Sequence, residues 1–206
     1  MAKKTIRDIS IAGKRVLVRV DFNVPFVRNT NYIADDRRLR AILPTIRYLK
    51  DQQARIILCS HLDRPGGVVV PSLQMEPVAT KLSEILGEPV KYIRDIVGDK
   101  AQESVAELAA GEVSLLENLR FHAGEEANDD AFAKELANLA DVYVNDAFAA
   151  SHRKHASIDK ISNFLPSVSG FLMEAELDML GSVLDSPDRP LIAIVGGAKV
   201  SDKIAV

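Results

Sequence analysis

RVLVRVDFNVP (Arg15–Pro25) is an apolar, strand-like run that ends in an acidic and amide pair, Asp21 and Asn23, set about Phe22. The pattern recurs in RIILCS (Arg55–Ser60), EVSLLEN (Glu112–Asn118) and DVYVND (Asp141–Asp146). After these runs come His61 with Arg64, then Arg120, then Arg153, while Arg38 sits at the start of the first helical pattern. In an open parallel sheet the carboxyl ends of the strands form one rim, and ligands bind in the crevice outside it. Four guanidinium groups and an imidazole on one rim would make a pocket for a small polyanion. The planar guanidinium fork grips phosphate and carboxylate oxygens in pairs.

Outward from that first strand, strand-like and helix-like stretches alternate. This predicts βαβ units around a parallel sheet, a doubly wound α/β fold of Rossmann-like type. The periodicity predicts a helix over about Asp36–Lys50 with a kink at Pro44, since proline cannot donate a hydrogen bond inside a helix. A Pro/Gly loop, DRPGGVVVP, follows the second strand. Helices are expected near Met75–Leu86, with Gly87 as the stop signal, and near Asp99–Ala109. Short strands are expected at Val90–Ile93, Val113–Glu117 and Val142–Asn145. The acidic segment GEEANDD is expected to cap a helix over about Asp130–Ala140, because acidic groups favour a helix N-terminus. Residues 147–170 read as loop and short elements. A helix over Phe171–Leu184 and a proline-bracketed linker (Pro187, Pro190) lead to a last strand, Leu191–Val195, and a glycine turn, Gly196-Gly197-Ala198-Lys199. The chain stops at Val206 inside a new helical pattern, so it is expected to hold one lobe and the opening of another.

Composition narrows the function classes. The 206 residues carry a net charge of -3 and 5% aromatics, against the basic, aromatic-rich profile of a nucleic-acid binder. No apolar stretch reaches the ~18 residues a membrane helix needs. The start, MAKKTIRDIS, lacks the apolar run of a secretory signal. The single cysteine, Cys59, lies in an apolar strand and reads as a buried, inert thiol in a reducing, cytoplasmic compartment.

Taken singly, the site motifs are ambiguous. Asp21 and Asn23 could bind a ligand hydroxyl or merely form a turn. His61 could donate to an anionic oxygen or be an ordinary loop residue. Arg64, ahead of Pro65, would be held in a stiff extended segment. Arg120 and Arg153 could be surface ion-pair partners, and Arg19, alternating within an apolar strand, reads as structural. His152 and His155 have a spacing that zinc sites use, but no Cys or acidic pair completes such a site, and no metal site is expected. The turn at Gly196–Lys199 is too short for a Walker A loop, though a glycine turn opening a helix exposes N–H groups suited to phosphate. Lys199 and Lys203 share one helical face.

Together, VRVDFNVP, DDRRLRAILPTI, SHLDRP, LLENLRFHAGEE, VNDAF with HRKHAS, FLMEAEL and RPLIAIVGGAKVSDKI closely resemble the phosphoglycerate kinase family, in order along nearly the whole chain. The resemblance implies two doubly wound α/β lobes joined by a hinge helix. An N-terminal lobe (residues 1–170) would bind 3-phosphoglycerate or 1,3-bisphosphoglycerate. Residues 171–186 would be the hinge helix, and 187–206 the start of a nucleotide-binding lobe. By motif, Asp21 and Asn23 would hold the glycerate, and Arg38, His61, Arg64, Arg120 and Arg153 would form the basic patch, with Arg38 nearest the transferred phosphoryl group. Lys199 and Lys203 would approach that group above the turn of Gly196 and Gly197. ATP or ADP with Mg2+ would be the co-substrate, its magnesium ligand lying in the rest of the second lobe. The implied whole enzyme is a monomer that moves a phosphoryl group reversibly between ATP and 3-phosphoglycerate. The present chain alone is expected to bind 3-phosphoglycerate without turnover.

Three positions depart from the family pattern. Asp63 stands where SHLGRP has glycine, and could repel the substrate or pair with Arg64. Ala149 stands where glycine usually follows NDAF, and alanine resists a positive φ. The loop between Pro25 and Arg38 is longer than usual.

Overall fold

A computed structural model of the chain describes residues 4–28, 30–185, 187, 189–192 and 194. It divides into two compact units, Met1–Glu174 and Ala175–Val206. The first is built on six parallel strands: β1 (Arg15–Arg19), β2 (Arg55–Cys59), β3 (Val90–Ile93), β4 (Val113–Leu116), β5 (Val142–Asn145) and β6 (Ser167–Ser169). They lie in the order β3-β4-β2-β1-β5-β6. In register, Val16 of β1 faces Ile56 of β2 and Val142 of β5. The doubly wound α/β reading therefore holds.

Such a sheet needs helices on both faces, and the period-2 alternation of its strands decides which side chain goes where. Val16, Val18, Ile56, Leu58, Val142 and Val144 pack on one face with Leu39, Ile46, Val78 and Leu82. Leu17, Ile57, Cys59 and Tyr143 pack on the other with Val105, Phe132 and Leu136. The first set comes from α1 (Arg37–Ala41), α2 (Leu43–Asp51) and α3 (Glu76–Leu86). The second comes from α4 (Asp99–Ala106) and α6 (Asp130–Ala137), with the short α5 (Ala123–Glu126) before α6.

The break expected at Pro44 separates α1 from α2 at Ile42. Gly87 ends α3 in the left-handed conformation, φ +75°. The acidic segment before α6 meets the expectation at its end. Asp129 caps that helix, accepting from Phe132 N–H at 2.8 Å, and Asp130 lies in its first turn. Glu125 and Glu126 belong to α5, and Glu125 is fully buried.

The region read as loop over 147–170 contains β6, which pairs with β5 and, through Ser169, with Thr5. Three residues with two serines are too short and too polar to show a period. The following helix, α7 (Phe171–Asp185), starts at an unusually close contact. A Cβ on Gly170 would lie 2.2 Å from the carboxyl carbon of Asp146. That buried carboxylate accepts from Thr45 Oγ1 (2.6 Å) and from Met173 N–H (2.8 Å) in the first turn of α7. Burial raises its pKa above the usual aspartate value against the pull of these donors.

The strand expected at Leu191–Val195 falls partly outside the described residues, and those of it that are described have no regular structure. No helix among the described residues is long and apolar enough to cross a membrane.

Candidate functional site

Four adjacent strands, β4-β2-β1-β5, end on one edge of the sheet, and the segment after each supplies part of the site. After β1, Phe22 N–H donates to Ser60 Oγ at 2.9 Å, which fixes the turn carrying Asp21 and Asn23. Asp21 accepts from Asn23 N–H at 3.1 Å with one oxygen and pairs with Arg38 Nη1 through the other. Arg38 arrives from the first turn of α1 with its side chain 48% exposed.

A continuous line of bonds then crosses from β1 to β4. Asn23 Oδ1 accepts from Asp63 N–H at 2.9 Å, and the Asp63 carbonyl accepts from Arg120 Nη1 at 2.6 Å. Asp63 adopts φ +52°, a left-handed conformation for which glycine is the easy residue. This accounts for the usual glycine there. Asp63 and Arg64 form no ion pair. Arg64 is exposed and has no hydrogen-bond or ion-pair partner among the described residues. Ala149 needs no positive φ, because it lies in a 3-10 turn, Phe148–Ala150.

Arg120 is buried and sits on a 3-10 turn, Leu119–Phe121. Asn118 builds that turn. Its Oδ1 accepts from Leu62 N–H and Arg120 N–H, both at 3.1 Å, and its Nδ2 donates to the carbonyls of Leu62 and Leu73. Glu117, also buried, accepts from Met75 N–H at 2.9 Å and from the Tyr92 hydroxyl. These two residues escaped the sequence reading. The available signal was a pair of polar residues directly after the strand run VSLL. Glu126 Oε1 lies 3.1 Å from Arg120 Nε, yet that N–H has no aligned acceptor among the described residues. Burial lowers the Arg120 pKa, opposed by Glu126 and assisted by Arg153 and Arg19.

His61 is 4% exposed, and its Nδ1 lies 3.0 Å from Arg19 Nη2. Burial first, then Arg19, Arg120, Arg153 and His155, pushes its pKa down to about 2, so the ring is neutral at physiological pH. Arg153 is half-buried, and its Nε lies 3.4 Å from His152 Nε2. His155 Nδ1 lies 3.8 Å from Glu125 Oε1. The structure thus joins Asp21, Asn23, Arg38 and Arg120 by direct bonds through Asp63, and holds His61, Arg120 and Arg153 within one another's field. Arg64 is joined to them only through its neighbour Asp63.

Chemically, this is a surface of hydrogen-bond donors and positive charge suited to an oxyanion. It carries no activated nucleophile among the described residues. Burial pushes the Cys59 thiol up to about 12, and His61 Nδ1 faces a cation and not a hydroxyl. No group of three or more His, Cys, Asp or Glu residues among the described residues could hold a metal ion. Gly196, Gly197, Lys199 and Lys203 lie outside the described residues.

Comparison with known proteins agrees along the whole chain. The family model described as phosphoglycerate kinase matches residues 6–206. Curated phosphoglycerate kinases from Pelotomaculum thermopropionicum and Dictyoglomus turgidum are 55% and 54% identical, over 206 and 209 residues. Each alignment covers 100% of this chain and 52% of the relative, so the chain spans about half the length of these relatives. Among solved structures, the phosphoglycerate kinase of Coxiella burnetii aligns with a TM-score of 0.87 at 35% identity, over 98% of this chain and 50% of that one. That of Pyrococcus horikoshii aligns with a TM-score of 0.86 at 38% identity, over 97% and 50%. On the family match and on the identity of its relatives, the chain belongs to the phosphoglycerate kinase family.

Proposed function

We propose that residues up to the start of α7 form the 3-phosphoglycerate-binding lobe of a phosphoglycerate kinase. The observation that carries this reading is the unbroken run of bonds from Arg38 through Asp21, Asn23 and Asp63 to Arg120, with neutral His61 beside it. A phosphorylated three-carbon acid has an anion at each end and a hydroxyl between them. Arginines and an imidazole N–H suit the anions, and Asp21 with Asn23 suits the hydroxyl.

In this reading, phosphoryl transfer between ATP and the carboxylate of 3-phosphoglycerate needs alignment and positive charge more than covalent help from the protein. Arg38, the exposed arginine at one end of that run where Arg120 at the other is buried, is the group that meets the transferred phosphoryl. Lys199 and Lys203, above Gly196 and Gly197, are the residues proposed to approach the nucleotide phosphates. Mg-ATP or Mg-ADP would be held by a second lobe of the kind the full-length relatives contain. The whole enzyme is proposed to be a cytoplasmic monomer that acts on neither nucleic acid nor membrane.

Titration of the 206-residue chain with 3-phosphoglycerate in a calorimeter tests the lobe. Weak binding that fades as salt rises is expected, because the attraction is ionic. A coupled assay with ATP and 3-phosphoglycerate should show no turnover by this chain alone. Absence of heat at low ionic strength would remove the reading.

A further inference from the structure

Behind His61 lies a buried charge that cannot reach the site surface. Arg19 is completely buried at the end of β1. Its Nε donates to Ser157 Oγ at 3.0 Å, its Nη1 donates to the Val20 carbonyl, and its Nη2 meets His61 Nδ1 at 3.0 Å. Ser157 Oγ passes the link on, donating to Glu125 Oε1 at 2.7 Å, while Ser157 N–H donates to Glu125 Oε2 at 3.0 Å. The Tyr143 hydroxyl closes the network by donating to the Ser157 carbonyl at 2.7 Å. Glu125 is fully buried and supplies the counter-charge through a single hydroxyl.

A guanidinium has donors and no acceptor. His61 Nδ1 must therefore accept from Arg19, and the one proton of the neutral ring must sit on Nε2. That Nε2–H has no partner among the described residues. We propose that Arg19 is a positioning residue that locks His61 in its Nε2–H form, so that the ring donates to a bound oxyanion. An unlocked imidazole could instead present a lone pair to the anion, which would repel it. It could also charge as pH falls, making affinity follow pH. The charged groups that act on the ring, Arg19 at the end of β1, Arg120 after β4, and Arg153 and His155 after β5, are all cations or potential cations. Protonation would thus add like charge to like.

The lock rests on the anion-binding reading only for its ligand, so the test separates the two. Nitrogen-15 NMR of the full chain, without ligand, should show His61 with a bare Nδ1 and a protonated Nε2, unchanged from neutral pH to about pH 5. A proton on Nδ1, or an imidazolium forming near the ordinary value of about 6.5, would overturn the proposal. Arg19→Met should mix the two neutral forms and raise the titration midpoint, only in part because burial, the larger cause of the depression, remains. Should that variant fail to fold, Ser157→Ala, which removes the acceptor of Arg19 Nε along with a donor to Glu125, should still mix the forms, and the unmodified chain decides the outcome by itself. Added 3-phosphoglycerate should then shift the Nε2–H resonance. A correct tautomer with no response to 3-phosphoglycerate would strike the ligand reading and leave the lock standing.

Discussion

Arg120 reaches Asp63 through the backbone, its Nη1 donating to the Asp63 carbonyl at 2.6 Å, and not through the carboxylate that distinguishes this position. The Asp63 side chain is therefore spare, while its main chain is indispensable.

Replacing Asp63 should separate these two roles. Asp63→Gly keeps both backbone bonds, relieves the φ +52° strain and removes an anion from the pocket. It should raise stability by about 1 kcal/mol and tighten 3-phosphoglycerate by up to about five-fold at low salt. Asp63→Val, β-branched in a left-handed position, should lose about 1–3 kcal/mol and weaken binding. Thermal denaturation and calorimetry check both, and equal behaviour of the two variants would contradict the backbone role.

Arg38 bonds to Asp21 yet keeps an exposed guanidinium. In a full-length protein carrying this lobe, Arg38→Ala should lower turnover at least ~10²-fold, the scale of losing one preorganised donor. Near-normal turnover would refute its placement beside the transferred group.

His61 should make the lobe acid-sensitive. Its folded pKa of about 2 lies below the unfolded value of about 6.5, so between those values the unfolded chain binds a proton that the folded chain refuses. Stability from this group is complete above about pH 6.5 and falls as pH drops, by up to about 1.4 kcal/mol per unit. Denaturant unfolding from pH 7 to pH 5 should show a shallower decline in His61→Gln than in the parent chain. Parallel curves would remove this linkage.

Asp146 and Gly170 are coupled by contact. Gly170→Ala drives a methyl into the Asp146 carboxylate and should lose about 1–3 kcal/mol. Asp146→Ala leaves Thr45 and Met173 N–H without their acceptor and should lose about 2–3 kcal/mol. The double variant has no clash to suffer, so its loss should fall short of the sum. Strict additivity in urea unfolding would contradict the contact.

The long apolar runs announced β1, β2, β4 and β5 because strands buried on both faces have little choice of residue. The Pro44 break and the Gly87 stop were equally legible, since each is a backbone property of one residue. β6 was not, because three residues with two serines carry no readable period. Within the site, the charged side chains stood out. The groups that tie them together did not: the Asp63 backbone, Asn118, Glu117 and the Glu125–Ser157–Arg19 link depend on which loops meet after folding. Arg19 read as structural, and its burial agrees, but its contact with His61 crosses from β1 to β2 and leaves no trace in either segment.

The pairing of Ser169 with residues at the chain's beginning has a consequence for how the lobe is made. Ile6 N–H donates to the Ser169 carbonyl at 3.0 Å, Ser169 N–H donates to the Lys4 carbonyl at 3.0 Å, and Arg7 grips Glu174, 167 positions away. During synthesis residues 4–7 must wait for residues 169–174 to be made before these bonds can form. Loop closure over that span is slow, and until it occurs one border of the sheet offers open bonds to any passing strand. The lobe's most hazardous moment is thus its last, when a nascent chain already holding five strands is still unsealed along one side.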